Sequence, residues 1–221
     1  MRDGRADSVD GLMQAFDEAE EQGLGKVFRP DDPDRKLHTH GAQPDPEELY
    51  YIALEYSATG KTGKAKEVLL RALELDPESV QVYVGLTGVY EQLGQRKKVE
   101  QCIALAWKLT QKEFRRWPRQ LLWGIFENRP YLRAIANQAM WWHEQGDRQD
   151  AASLYTLLLR LNPNDSQGVR YFLAGLYAGK TPNDVDDYME EGDRRQNWKK
   201  IDALLTSQNR RHHFWKDPQA G

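Results

Sequence analysis

Three glycines, Gly60, Gly94 and Gly146, each sit inside the same ordered series of residue types, and the first two are 34 residues apart. The eleventh residue before each glycine is Leu49, Tyr83 or Ile135, and the fourth before it is Tyr56, Tyr90 or Trp142. Five residues after it come Ala65, Val99 or Ala151, nine after it Leu69, Ile103 or Tyr155, and twelve after it Ala72, Ala106 or Leu158. The seventeenth is Pro77, Gln111 or Pro163. Apolar residues at helical spacing on both sides of a glycine describe two amphipathic helices joined by a tight turn. A chain that repeats such a unit must stack helix pairs, because one pair alone cannot bury its apolar faces. No convincing period-2 strand and no βαβ alternation appear in the sequence. The apolar run Ser153 to Leu159 is bounded by Asp150-Ala151-Ala152 and Arg160-Leu161-Asn162-Pro163, flanks that make it a helix.

This series resembles the tetratricopeptide repeat, a helix–turn–helix unit. The residues 46–77 match it well, through Leu49, Ile52, Ala53, Tyr56, Gly60, Ala65, Leu69, Ala72 and Pro77. Residues 132–163 match with Gln138 in place of the usual leucine. Residues 80–111 depart further, with Thr87 at the small-residue position, Val99 for alanine and no closing proline. A second string, Asn128 to Arg133 with Asn162 to Arg170, is similar to segments of bacterial tetratricopeptide-like proteins of unassigned role. The resemblance spans roughly half the chain and implies an all-α fold: a short right-handed α-solenoid of about three helix pairs with C-terminal capping helices. Small residues (Ala53, Ala65, Ala139, Ala151) would let paired helices approach closely.

The spacing from Gly94 to Gly146 is 52 residues, which places an insert at about residues 112–131. Its two prolines, Pro118 and Pro130, predict a one- to two-turn helix between them. Beyond Pro163, Asn164 to Gly179 reads as another first helix, with Asn162 or Asp165 as its cap. Thr181-Pro182 opens an acidic helix from Asn183 to Glu191, and Asn197 to Thr206 suits a capping helix. Residues 1–46 read as an arm, in which Ser8 caps a short helix from Val9 to Glu21 carrying Leu12, Met13, Phe16 and Ala19 on one face. The expected division is therefore an arm at 1–46, a repeat domain at 47–208 and a tail at 209–221.

Catalytic readings fail on spacing. Gly60-Lys61-Thr62 looks like the end of a phosphate-binding loop, but the position that needs the first glycine is Glu55, inside a helix. Of the five histidines, His38 and His40 lie in the arm and His212 and His213 near the tail, while His143-Glu144 lacks a second histidine four residues from the first. Cys102 stands alone, without a metal-ligand partner, and a single cysteine excludes a disulfide framework. There is no G-x-S-x-G elbow. No catalytic residue, metal or cofactor is expected. The sequence also lacks an apolar run of about 18 residues and an apolar signal region at its start, so a cytoplasmic chain without a membrane span is expected.

Binding is the class that remains. In a stack of helix pairs, the first helices line a concave groove, and the side chains offset from the packing positions are Tyr50, Leu54 and Ser57; Val84, Gly88 and Glu91; and Arg133, Asn137, Met140 and His143. These are the candidate partner-binding residues. Only Arg133 and Asn137 resemble a clamp for a terminal carboxylate, so a largely apolar groove better suits a helix or extended segment of a protein partner. The segment itself could come from this chain's own arm or another protomer. The same positions could equally be covered core.

Charge supplies the alternatives. Residues 96–133 hold ten bases and three acids, and residues 194–216 hold seven bases and one acid, with tryptophan and phenylalanine interleaved in both. Basic residues among aromatics suit single-stranded nucleic acid. Against it stand a net charge of −3, six acids and no base from Asn183 to Asp193, and the lack of a nucleic-acid module. Pairing between neighbouring helices is the default for such charges. A third reading is a subunit of an enzyme complex whose site another chain completes.

Overall fold

The computed structural model describes residues 45–216. The expected arm helix at Val9–Glu21 and the end of the expected tail lie outside the described residues. Nine α-helices and no strand are found among those described. The described residues divide into two compact units, one up to Glu113 and one from Phe114 onward.

The first unit holds α1 (Pro46–Ala58), α2 (Thr62–Leu75), α3 (Val80–Gln92) and α4 (Arg96–Glu113). Local chemistry marks each boundary. The Asp45 side chain accepts a hydrogen bond from the Glu47 N–H at 3.1 Å, Pro46 takes the first position, and Glu47 and Glu48 face the positive end of the helix dipole. Gly60 and Gly94 adopt φ of +73° and +67°, the left-handed backbone that closes α1 and α3 at little steric cost. Asp76-Pro77 ends α2, because proline cannot supply the next helical N–H.

Helices α1 and α2 pair, as do α3 and α4, and α2 and α3 join the pairs. Ala53, Ala65 and Ala72 are buried at the first crossing, and their small side chains let α1 and α2 approach closely. Leu69 on α2 and Leu86 on α3 are almost wholly removed from water, each worth about 2 kcal/mol of apolar burial. Gly85 on α3 faces the ring of Tyr50, where an added Cβ would lie 3.1 Å from Cε2. Cys102 sits mid-helix in α4 with no exposure at all, a packing residue.

The second unit holds α5 (Arg129–Gln145), α6 (Arg148–Leu161), α7 (Val169–Tyr177), α8 (Pro182–Arg195) and α9 (Lys199–His212). Helices α5 and α6 form a pair closed by Gly146 at φ +85°. Helix α7 packs against α6, α8 and α9, so the C-terminal helices cluster around it. Thr181 and Asp184 form the reciprocal cap of α8 that Thr181-Pro182 suggested. Glu191 on this acidic helix pairs with Lys200 at 3.0 Å and Arg195 at 2.8 Å, a pairing of acidic and basic stretches within the unit.

Two local expectations change. The segment between Pro118 and Pro130 contains only one 3-10 turn, Phe126–Asn128, rather than a one- to two-turn helix. Its backbone donors go elsewhere: the Leu121 N–H donates to the Leu161 carbonyl at 2.7 Å and the Trp123 N–H to Asn162 Oδ1 at 3.3 Å. Asn162 is thereby committed to the insert, and Asp165 alone of the two caps α7. Its carboxylate accepts from the N–H of Val169 at 2.7 Å and of Arg170 at 3.0 Å, and pairs with the Arg170 guanidinium at 2.8 Å.

Candidate functional site

In the first unit, the 34-residue offset puts Tyr50 and Val84, Leu54 and Gly88, and Ser57 and Glu91 at matching positions of α1 and α3. The two helices touch. Tyr50 is 5% exposed, its ring set edge-on to Tyr51 at 5.6 Å and lying over Gly85. Leu54 is 43% exposed, Ser57, Val84 and Gly88 are half-buried, and Glu91 is exposed. A Cβ added at Gly88 would meet nothing within 4 Å, so the space above it is open. Leu54 and the space over Gly88 are thus each accessible, whereas Tyr50 is packed against Gly85 and Tyr51.

In the second unit, Arg133, Asn137 and Met140 on α5 are half-buried, while His143 is 7% exposed. His143 Nε2 donates to the Lys180 carbonyl at 2.7 Å, since a carbonyl can only accept. In the neutral ring Nδ1 is then bare, and the Tyr155 hydroxyl, 3.2 Å away, donates to it. Burial holds the His143 pKa below its ordinary value, against the pull of the Lys180 carbonyl. Burial also pushes the Tyr155 phenol up, with Asp186 and Glu144 adding to the shift, so it stays a donor. Tyr155 stacks in turn on Phe172 at 6.3 Å. This chain of contacts ties α5, α6, α7 and the turn before α8 together. Its sequence separations of 12 and 37 residues follow no helical or repeat period, so nothing in the sequence marked them.

The insert also presents side chains that the groove reading did not include. Leu122, Ile125 and Phe126 are 37%, 50% and 66% exposed. The Arg129 guanidinium lies 3.9 Å from the Phe126 ring centre and 5.3 Å from that of Trp123, and the Arg133 guanidinium is also 5.3 Å from Trp123. Arg129 Nε donates to the Trp123 carbonyl at 3.0 Å, which fixes the arrangement. At the base of the insert Phe114 stacks on Trp117 at 5.6 Å and meets Tyr131 edge-on at 5.0 Å.

Among the described residues there is no group of three or more His, Cys, Asp or Glu side chains that could hold a metal ion. None of the described helices is long and apolar enough to cross a membrane.

A family profile described as tetratricopeptide repeat matches residues 49–79, the segment from α1 to the start of α3. Among solved structures, the chain is similar to a thermophilic tetratricopeptide-repeat protein of Thermus thermophilus, at 18% identity over 90% of each chain with a TM-score of 0.43. It is also similar to PilF of Pseudomonas aeruginosa, at 18% identity over 74% of this chain and 76% of that one with a TM-score of 0.34. No curated protein matches the chain. With the matching profile laid over the helix pair that Gly60 closes, the chain contains a tetratricopeptide repeat at residues 49–79.

Proposed function

We propose that this chain is a non-catalytic scaffold or adaptor, which holds a helix or extended segment of a protein partner on the accessible face of its first helices. Tetratricopeptide repeats are generally protein–protein interaction modules. The observation that carries the reading is Leu54, 43% exposed on α1, at the repeat position that Gly88, with open space over it, holds on the touching helix α3. An exposed leucine offers apolar contact, and a helical glycine with open space over it lets a partner backbone approach closely. Ser57, Val84 and Glu91 are further candidate contacts on the same two helices, and Arg133, Asn137 and Met140 offer a second contact surface in their own unit. Tyr50 and His143 act beneath, by fixing the helices. The repeat domain 47–208 is the binding part, continued by the end of α9, which runs to His212 through the start of the expected tail, and the lone reduced Cys102 suits a cytoplasmic setting.

The test is affinity capture from the native host with three full-length baits, quantified by mass spectrometry. Leu54→Glu should lose proteins that both the wild type and the exposed control Glu67→Lys retain, with unchanged helical circular dichroism. Identical capture by all three baits would refute the reading.

A further inference from the structure

Helix α8 carries acids on two sides, and only one side is neutralised. Glu191 pairs with Lys200 on α9 and with Arg195, and Arg194 adds to the pull on its carboxyl. Asp186, Glu190 and Asp193 follow one another at helical spacing on a single face, with Asp187 beside them, and all four are exposed. Among the described residues none of these four carboxylates has an ion-pair partner. Partial burial first, and then the charges of Glu190 and Asp187, raise the Asp186 pKa above its ordinary value, as crowded like charges do.

The opposite charge lies in the same unit, at the insert. Trp123, Phe126, Arg129 and Arg133 form one contiguous patch, because the Arg129 guanidinium lies over both rings and that of Arg133 over Trp123. Residues 114–133 hold five arginines against the single acid Glu127. Arg129 gives its Nε–H to the Trp123 carbonyl, and among the described residues no carboxylate pairs with it. Within one molecule the two surfaces are not brought together. His143 holds Lys180 at the C-terminal end of α5, so α8 starts about 20 Å of helix away from Arg129, at 1.5 Å per residue.

We infer that this patch receives α8 of a second copy of the chain, with Arg129 and Arg133 facing Asp187 and Glu190 and Phe126 shielding the pairs from water. A second copy is the occupant because the chain itself carries the complementary surface and leaves it unpaired. Reciprocal contacts close a two-fold dimer, and one-sided contacts give an open chain. Single-stranded nucleic acid would meet the same arginines, but a guanidinium already covers one face of each ring that bases would stack on. For Arg133 the inference names the occupant of the second contact surface. It does not depend on Leu54 or Gly88, and its test reads purified protein rather than captured partners, so the two readings can fail separately.

Sedimentation equilibrium of the purified full-length chain should show reversible self-association at about 0.1 M salt. Raising the salt to about 1 M, where the Debye length falls from about 10 Å to about 3 Å, should weaken it. Arg129→Glu in one variant, and Asp187→Lys with Glu190→Lys in another, should each weaken association by about tenfold or more with unchanged helical circular dichroism. Mixing these two variants should restore it, because opposite charges then meet at both contacts. Phe126→Asp, at a position 66% exposed, replaces Arg129→Glu as the insert variant if the latter disturbs the fold, and it too should weaken association. A wild type that sediments as a single chain at low salt would overturn the inference, as would an acid-to-lysine variant that associates normally or a mixture that fails to recover. Loss of association after nuclease treatment would overturn it by making nucleic acid the bridge.

Discussion

His143 Nε2 lies 2.7 Å from the carbonyl oxygen of Lys180, 37 residues further along the chain. That contact fastens the turn between α7 and α8 to the end of α5, while burial, not the contact, favours the neutral imidazole. The folded pKa lies below the ordinary 6.5, so below that pH the unfolded chain binds a proton that the folded chain refuses. Stability from this site is therefore complete above pH 6.5 and declines as pH falls toward the lowered folded value. Urea unfolding of the wild type at about pH 7.5 and about pH 5.5, on either side of the ordinary histidine range, should show this loss, and His143→Gln should reduce the pH difference. An unaltered pH dependence in the variant would contradict the assignment.

Two helical glycines should respond in opposite ways to alanine. A Cβ at Gly175 on α7 would collide with Val185 Cγ2 on α8, whereas one at Gly88 would meet nothing within 4 Å. Gly175→Ala should cost about 1–3 kcal/mol by overpacking. Gly88→Ala should raise stability by about 0.4–1 kcal/mol, chiefly by restricting the unfolded chain. Adding Val185→Ala to Gly175→Ala should recover part of the loss, which a double-mutant cycle by denaturant unfolding would read as coupling.

Asp165 combines a cap, an ion pair and a left-handed backbone at φ +47°. Asparagine tolerates that backbone and can still accept from the Val169 N–H, but alanine offers neither advantage. Asp165→Ala should therefore cost about 2 kcal/mol and Asp165→Asn distinctly less. Equal losses measured by thermal unfolding would remove the cap from the explanation.

Cys102 is 0% exposed, packed in the pair formed by α3 and α4. A thiol reagent should label the native protein only at the rate at which that pair opens, and should label it at once in denaturant. Fast labelling of the native state would show that α4 is not held as described.

Much of the helical plan was legible because its signals are local. Asp45-Pro46, the left-handed Gly60, Gly94 and Gly146, Asp76-Pro77 and Thr181-Pro182 act on their own backbone neighbours, so a sequence displays them directly. The spacing of Ala53, Ala65, Ala72 and Leu69 likewise determines which faces turn inward. The candidate site was legible only as a stripe. Periodicity selects Tyr50, Leu54, Val84 and Gly88 together, but it does not state how deep each lies.

Tertiary structure decided the remainder, for one physical reason: those outcomes depend on partners far along the chain. Tyr50 is buried because Gly85 leaves room for its ring, and His143 because Lys180 and Tyr155 meet both its nitrogens. The insert forgoes a helix because α6 and the residue after it supply Leu161 and Asn162 as acceptors for its N–H groups, and that use of Asn162 leaves Asp165 to cap α7. A buried backbone donor accepts whichever acceptor the fold brings within reach, and local propensity of a few tenths of a kcal/mol per residue, about 0.7 at most for ordinary residues, does not oppose it.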